Sequence, residues 1–200
     1  MEIVLSFRIE EKVIVTGNEL FAIKDRLSKE GMLSLHPVRM IHSIYFDSRS
    51  NGMFVDSDEG ILPRKKLRIR SYDSDDAAYN LETKISSIEG RFKTTKSLTA
   101  KERQGFLRNG LVDSRYGVCV PKVEISYSRM YYQMAGVRIT FDTNIRYKKH
   151  GSQINVRESL NVMEIKATAG ASPDFLEKLV VEPRRRFSKF CRACMLTKVI

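Results

Sequence analysis

Apolar and charged residues alternate in several well-separated stretches of this chain. Leu67 and Ile69 alternate with Lys66, Arg68 and Arg70, Ile139 and Phe141 with Arg138, Thr140 and Asp142, and Met163 and Ile165 with Glu164 and Lys166. Side chains at i and i+2 share one face of a strand, so this period of two predicts strands with one apolar and one ionised face. Strands are expected over 3–15, 40–46, 65–72, 78–86, 90–97, 120–133, 136–147 and 161–168. Asp73-Ser74-Asp75-Asp76 turns the 65–72/78–86 pair into a hairpin. Ala135-Gly136 joins the two longest strands, and 47–52 reads as a turn. Helices are expected from an Asn18 cap to about residue 30 before Gly31, over 101–108 between Thr99 and Gly110, and over 173–180 and 187–195. Many strands with short connections predict an antiparallel sandwich or barrel. About eight are enough to close around a small ligand.

An ordinary antiparallel sheet turns its polar face to water. If this one closes with the apolar face outward under helices, the charges line a pore. The chain has 200 residues, 42% hydrophobic and 30% charged, with a formal net charge of +11. That excess favours an anionic partner without choosing among nucleic acid, a membrane surface and phosphorylated molecules. The length suits a single domain over residues 1–200. No apolar run approaches the ~18 residues of a membrane span, and the first eight residues lack a secretion-signal layout. Three cysteines fit a reducing compartment, so a cytoplasmic location is expected.

The charged segments each admit two readings. Lys66, Arg68 and Arg70 share a face that is either solvated or, between Arg68 and Arg70, an anion site, since adjacent same-face cations repel and guanidinium binds phosphate bidentately. Glu82/Lys84 and Glu164/Lys166 are either cross-strand ion pairs or sources of a carboxylate ligand for Mg²⁺ or Mn²⁺, with Glu10 of Arg8/Glu10/Lys12 another carboxylate for the same space. Arg138, Thr140 and Asp142 share a face. Tyr127 and Arg129 share parity with Val123 and Ile125 rather than Glu124, so grouping them with Glu124 requires a bulge. Lys93 and Lys96 lie beside a turn. Arg184-Arg185-Arg186-Phe187 is either a helix start or a nucleic-acid patch. Cys191 and Cys194 have half a zinc site's spacing without its complement and suit helix packing.

In order, Arg8-Ile9-Glu10-Glu11-Lys12, Ser43-Ile44-Tyr45-Phe46-Asp47, Leu67-Arg68-Ile69-Arg70, Leu81-Glu82-Thr83-Lys84, Tyr127-Ser128-Arg129, Arg138-Ile139-Thr140-Phe141-Asp142, Met163-Glu164-Ile165-Lys166 and Phe187-Ser188-Lys189-Phe190 resemble the polyphosphate-polymerase (vacuolar transporter chaperone, VTC) domain of the CYTH-like triphosphate tunnel metalloenzymes, over residues 8–194. The resemblance implies a mainly β (α+β) fold: an eight-stranded antiparallel closed barrel forming a tunnel, with flanking helices and a C-terminal helix at its mouth. It implies that Lys12, Arg68, Arg70, Lys84, Lys93, Tyr127, Arg129, Arg138 and Lys189 bind substrate phosphate. Lys189, Glu164 and Arg138 would be catalytic, and Glu164 with Glu10 would hold Mn²⁺ or Mg²⁺. Its ligands would be ATP, inorganic triphosphate or polyphosphate rather than nucleic acid, with a separate membrane partner compatible. The implied activity is polyphosphate synthesis from the γ-phosphate of ATP, with triphosphate hydrolysis or a non-catalytic polyphosphate-binding module as alternatives.

Overall fold

A computed structural model describes residues 8–72, 78–168, 172–179 and 187–200. Their elements are β1 (Arg8–Val15), α1 (Gly17–Lys29), β2 (Leu33–Ser48), α2 (Gly52–Glu59), β3 (Arg64–Tyr72), β4 (Tyr79–Ser86), β5 (Arg91–Leu98), α3 (Ala100–Asn109), β6 (Leu111–Asp113), β7 (Gly117–Met134), β8 (Val137–Lys149), β9 (Asn155–Arg157), β10 (Asn161–Thr168), α4 (Pro173–Leu179) and α5 (Lys189–Leu196). Eight strands follow one antiparallel path, β1-β10-β8-β7-β2-β3-β4-β5, while the short β6 and β9 pair with β7 and β8. The alternating stretches therefore all became strands. The expected residues 3–7, the 73–76 turn and the 184–186 basic run lie outside the described residues.

The expectation of a closed barrel needs correction. The hydrogen-bonded path ends at β1 and β5, which do not pair with each other among the described residues. Glu10 of β1 instead spans this seam by ion pairs to Lys84 of β4 (3.5 Å) and Arg91 of β5 (3.4 Å). Long charged side chains meet where a backbone ladder would require strands only about 4.8 Å apart.

Three local expectations also change. Thr16, not Asn18, caps α1. Its hydroxyl accepts from the Glu19 amide, while the Glu19 carboxylate accepts from the Thr16 amide, a reciprocal capping box. The 47–52 stretch does not only turn but launches α2, because the buried Asp47 carboxylate accepts from the Met53 and Phe54 amides at 2.8 Å each. A cap that acts from six and seven residues upstream has no short sequence signature. The first half of β2, from Leu33, is mostly exposed, so burial left no alternation there to read. By contrast Thr99 caps α3 through the expected signal, with Glu102 completing the box.

Helices α1 and α4 cover the outer face of β1, β8 and β10. Ile23, Leu27, Leu176 and Leu179 pack with Val13, Val15, Ile139, Phe141, Met163 and Ile165. Complete burial of each such side chain is worth roughly 1.5–3 kcal/mol. The apolar faces therefore do point outward under helices, and the ionised faces point inward. Helix α5 belongs to a second cluster, in which Phe187, Phe190, Cys191 and Cys194 pack with Tyr45, Ile125, Tyr127, Ile145, Tyr147 and Val162. The thiols of Cys191 and Cys194 are free and buried, and no group of three or more His, Cys, Asp or Glu suited to a metal occurs among the described residues. Helix packing is thus what the pair does. No helix among them is long and apolar enough to cross a membrane.

Candidate functional site

Strand register places the ionised residues together. Arg68 faces Tyr45 on β2 and Glu82 on β4, Arg70 faces Ser43, and Lys84 faces Lys66 and Lys93. Across the other half, Arg129 faces Asp142, Glu164 faces Thr140 and Lys12, and Lys166 faces Arg138 and Glu10. The parity problem around Arg129 resolves simply. Val123, Ile125, Tyr127 and Arg129 all point inward, and Glu124 points outward to Lys148 and His150.

The bulge lies in β8 instead. Ser126 pairs with Arg146 but Ser128 pairs with Thr143, so Asn144 and Ile145 together oppose Tyr127. Asn144 takes the left-handed conformation at φ 53°, which Asn tolerates better than most residues. This extra residue lets Asp142 and Ile145 share the interior face.

The interior cations are held by carboxylates. Glu82, 3% exposed, binds Arg68 at 2.6 Å and Lys93 at 2.6 Å, with Arg70 at 3.7 Å. Burial pushes its carboxyl up, but Arg68, Arg70 and Lys93 outweigh that and bring it to about 2. Asp142, fully buried, accepts from Arg129 at 2.7 Å and from Lys189 at 2.6 Å. Burial raises it and these two cations prevail, so it too is held below the usual carboxylate range. Removing one member of such a buried pair strands a charge, at a cost of about 3–5 kcal/mol.

Lys189 reaches this position because Ser188 caps α5, accepting from the Cys191 amide and from Lys66 at 2.9 Å. Arg192 of the same helix is anchored to the buried Glu158, at 3.0 Å for one of its contacts. The Lys189 ammonium lies 4.7 Å from the Tyr127 ring centre, within cation–π range. Tyr127 also accepts from Arg70 at 3.2 Å. Tyr45, stacked on Phe190, accepts from Arg68 at 2.6 Å. Burial opposes its ionisation, yet Arg68, Arg70 and Lys66 draw its pKa down to about 8.

Glu10 and Glu164 occupy diagonal positions on β1 and β10. Burial and the neighbouring Glu164 push the Glu10 carboxyl up, but Lys84, Lys12 and Lys166 outweigh both and hold it low. Burial likewise raises Glu164, and Lys166, Lys12 and Arg129 hold it well below the usual range. Both carboxylates therefore stay ionised. Two oxygen donors without a larger protein cage fit Mg²⁺ or Mn²⁺, which take one or two carboxylates and complete their shells with phosphate oxygens and water.

Three cavities of about 220, 140 and 370 Å³ run past these groups and share lining residues. Glu10 and Lys84 line all three. Lys12, Lys66 and Ser188 line the first two, and Arg68, Arg70, Arg129, Glu164 and Lys166 the last two. Arg138 lines the widest one and makes no ion pair or hydrogen bond among the described residues. All the candidate residues thus converge on one space. Lys93 and Lys96 part company: Lys93 turns inward to Glu82, and Lys96 outward to Glu102 at 2.9 Å.

Asp142, Tyr45, Lys66, Lys166 and Arg91 were not among the sequence-derived site residues, yet they stand within it. Parity alone could have added Lys66, Lys166 and Asp142, each two positions from a candidate. Nothing in the sequence marks Arg91, which enters only because the seam beside β1 brings it to Glu10.

An antiparallel sheet curled around a basic interior, with carboxylates on adjacent strands, defines a tunnel architecture. Solved structures share it. A candidate adenylate cyclase from Bacillus halodurans matches with TM-score 0.63 at 15% identity, covering 94% of this chain and 97% of that one. A protein of Pyrococcus horikoshii matches with TM-score 0.59 at 19% identity, covering 95% and 99%. A candidate adenylyl cyclase of Hippeastrum with a dominant triphosphatase activity matches with TM-score 0.54 at 16% identity, covering 94% and 96%. No curated protein matches the chain significantly. The VTC domain pattern matches residues 7–117 and 110–198, and the chain belongs to that family.

Proposed function

We propose that residues 1–200 form one tunnel domain that transfers phosphoryl groups of triphosphate substrates, with polyphosphate synthesis from the γ-phosphate of ATP as the reaction. The observation that carries this reading is the convergence of Lys12, Arg68, Arg70, Lys84, Lys93, Arg129, Arg138 and Lys189 around the Glu10–Glu164 pair. Phosphoryl transfer asks little covalent work of a protein; it needs in-line positioning and neutralised charge. Arg68, Arg70, Arg129 and Arg138 bind the phosphates, Tyr127 orients Arg70, and Lys12, Lys84 and Lys93 assist. Lys189 acts at the transferred group with Arg138. Glu164, with Glu10, would hold Mn²⁺ or Mg²⁺, which when bound supplies charge neutralisation at the phosphate oxygens.

In the transfer, an anionic terminal oxygen of a polyphosphate chain bonds to the γ-phosphorus. The bond from that phosphorus to the bridging β–γ oxygen breaks, and ADP leaves with the electron pair. No proton need move. This favours a phosphate acceptor over water, because the lining carboxylates Glu10, Glu82, Asp142 and Glu164 are all held below their usual range and are correspondingly weak bases. The shared lining of the three cavities gives a growing chain room beyond one triphosphate.

Hydrolysis is the second reading, consistent with the activity described for the Hippeastrum relative. Purified protein with ATP and Mn²⁺, sampled for chain length and free phosphate, separates them. Long chains support synthesis. Free phosphate alone would assign the tunnel to hydrolysis, and neither product with tripolyphosphate binding retained would leave a polyphosphate-binding module.

A further inference from the structure

A fourth cavity lies on the opposite side of the same wall, outside the tunnel. At about 450 Å³ it is larger than any of the three inside and falls within the usual range for small-molecule sites. Strand alternation creates it: Ser71, His42 and Ser126, which line it, are the chain neighbours of Arg70, Ser43 and Tyr127 and point the other way. Helix α3 supplies Arg103 and β8 supplies Arg146.

The cations here differ from most of those inside. Tunnel cations are largely satisfied by internal carboxylates. Arg146 makes no ion pair, hydrogen bond or ring contact among the described residues. Arg103 lies 4.4 Å from the Tyr79 ring centre, and its buried Nε has no hydrogen-bond partner. The single carboxylate among the described residues lining the cavity, Glu124, is already taken by Lys148 at 3.0 Å and His150 at 2.9 Å. Arg146 is exposed and Arg103 half-buried; the unsatisfied, buried Nε of Arg103 is costly, and an anion between the two arginines would relieve it. The cavity also presents Ile44, Ile69 and Tyr79, apolar surface that a bare polyphosphate has no use for.

We infer that this outer cavity binds a small organic phosphate carrying an aromatic or apolar body, of the nucleoside monophosphate class. Arg103 and Arg146 take the phosphate dianion, Ser71 and Ser126 offer hydroxyl hydrogen bonds, and the apolar floor takes the body of the ligand. The site is independent of the tunnel's activity.

AMP is a suitable probe, having one phosphate and no transferable γ-group. Calorimetric titration of the full chain should give a Kd below about 1 mM. Arg146→Ala and Arg103→Gln should each weaken AMP at least about tenfold and leave tripolyphosphate affinity unchanged. Arg68→Ala/Arg70→Ala should do the reverse. The inference is overturned if AMP does not bind in that range, if its binding survives both outer substitutions, or if the tunnel variant abolishes it. Melting curves confirm that each variant is folded. Tripolyphosphate competing AMP off the wild-type chain would also place AMP in the tunnel and refute the outer site.

Discussion

The interior of this sheet has two halves built from the same strands. One holds Arg68, Arg70, Arg129, Glu82, Asp142 and Glu164. The other is filled by Ile125, Ile145, Tyr147 and Val162 against Phe190 and Cys194 of α5. On β7 the change takes place within a single same-face run, from Val123 and Ile125 through Tyr127 to Arg129. The apolar half is a packed core that stabilises the tunnel and seats α5. The charged half keeps buried cations in place with internal carboxylates, at an electrostatic cost that α5 and the outer helices help to meet. Tyr45 and Tyr127 sit at the boundary, each with a ring in the apolar half and a hydroxyl held by an arginine. Inward and outward faces are therefore not the same thing as polar and apolar faces.

This division can be broken from either side. Ile145→Ala, in the apolar half, should lower the unfolding free energy by about 2–5 kcal/mol in chemical denaturation while leaving tripolyphosphate affinity of the folded protein unchanged. Arg70→Ala, in the charged half, should weaken tripolyphosphate by about tenfold to a hundredfold, the usual worth of a charged hydrogen bond, measured by calorimetry. Asp142→Asn tests the joint between the halves. With Lys189 and Arg129 no longer held, kcat should fall about tenfold while KM stays level or improves, because a competing carboxylate has gone. A rise in KM alone would instead make Asp142 a support for substrate binding.

The smallest effect is on pH dependence. Burial lowers Lys84, with Glu10 opposing and Lys12 and Lys166 reinforcing, to about 8, and Tyr45 also titrates near about 8. Rising pH then removes a positive charge from Lys84 and adds a negative charge at Tyr45. Both changes weaken polyanion binding, so tripolyphosphate affinity should fall on the order of tenfold between pH 7 and pH 9. Lys84→Arg/Tyr45→Phe should flatten that profile relative to wild type; an unchanged slope would assign it to groups other than Lys84 and Tyr45.

The period-two alternation made most strands legible, because each has one face committed to an apolar cluster: β1, β8 and β10 under α1 and α4, β3 in the second cluster. The same parity brought Arg68, Arg70, Arg138, Glu164 and Lys166 to one side. What escaped depends on events between elements. Asp47 capping α2 from upstream, the bulge at Asn144 and the open seam at Glu10 are set by tertiary register, not by local pattern. Asp142 was visible on the right face, but its hold on Lys189 depends on where α5 docks.

Glu164→Gln tests the central claim most directly, measured as turnover with ATP and Mn²⁺ beside tripolyphosphate binding in metal-free buffer. The account predicts a loss of turnover of at least about a thousandfold, with affinity within about threefold of wild type, since the carboxylate serves a metal and not the phosphates. Full turnover in this variant would contradict it and remove Glu164 from the chemistry of the tunnel.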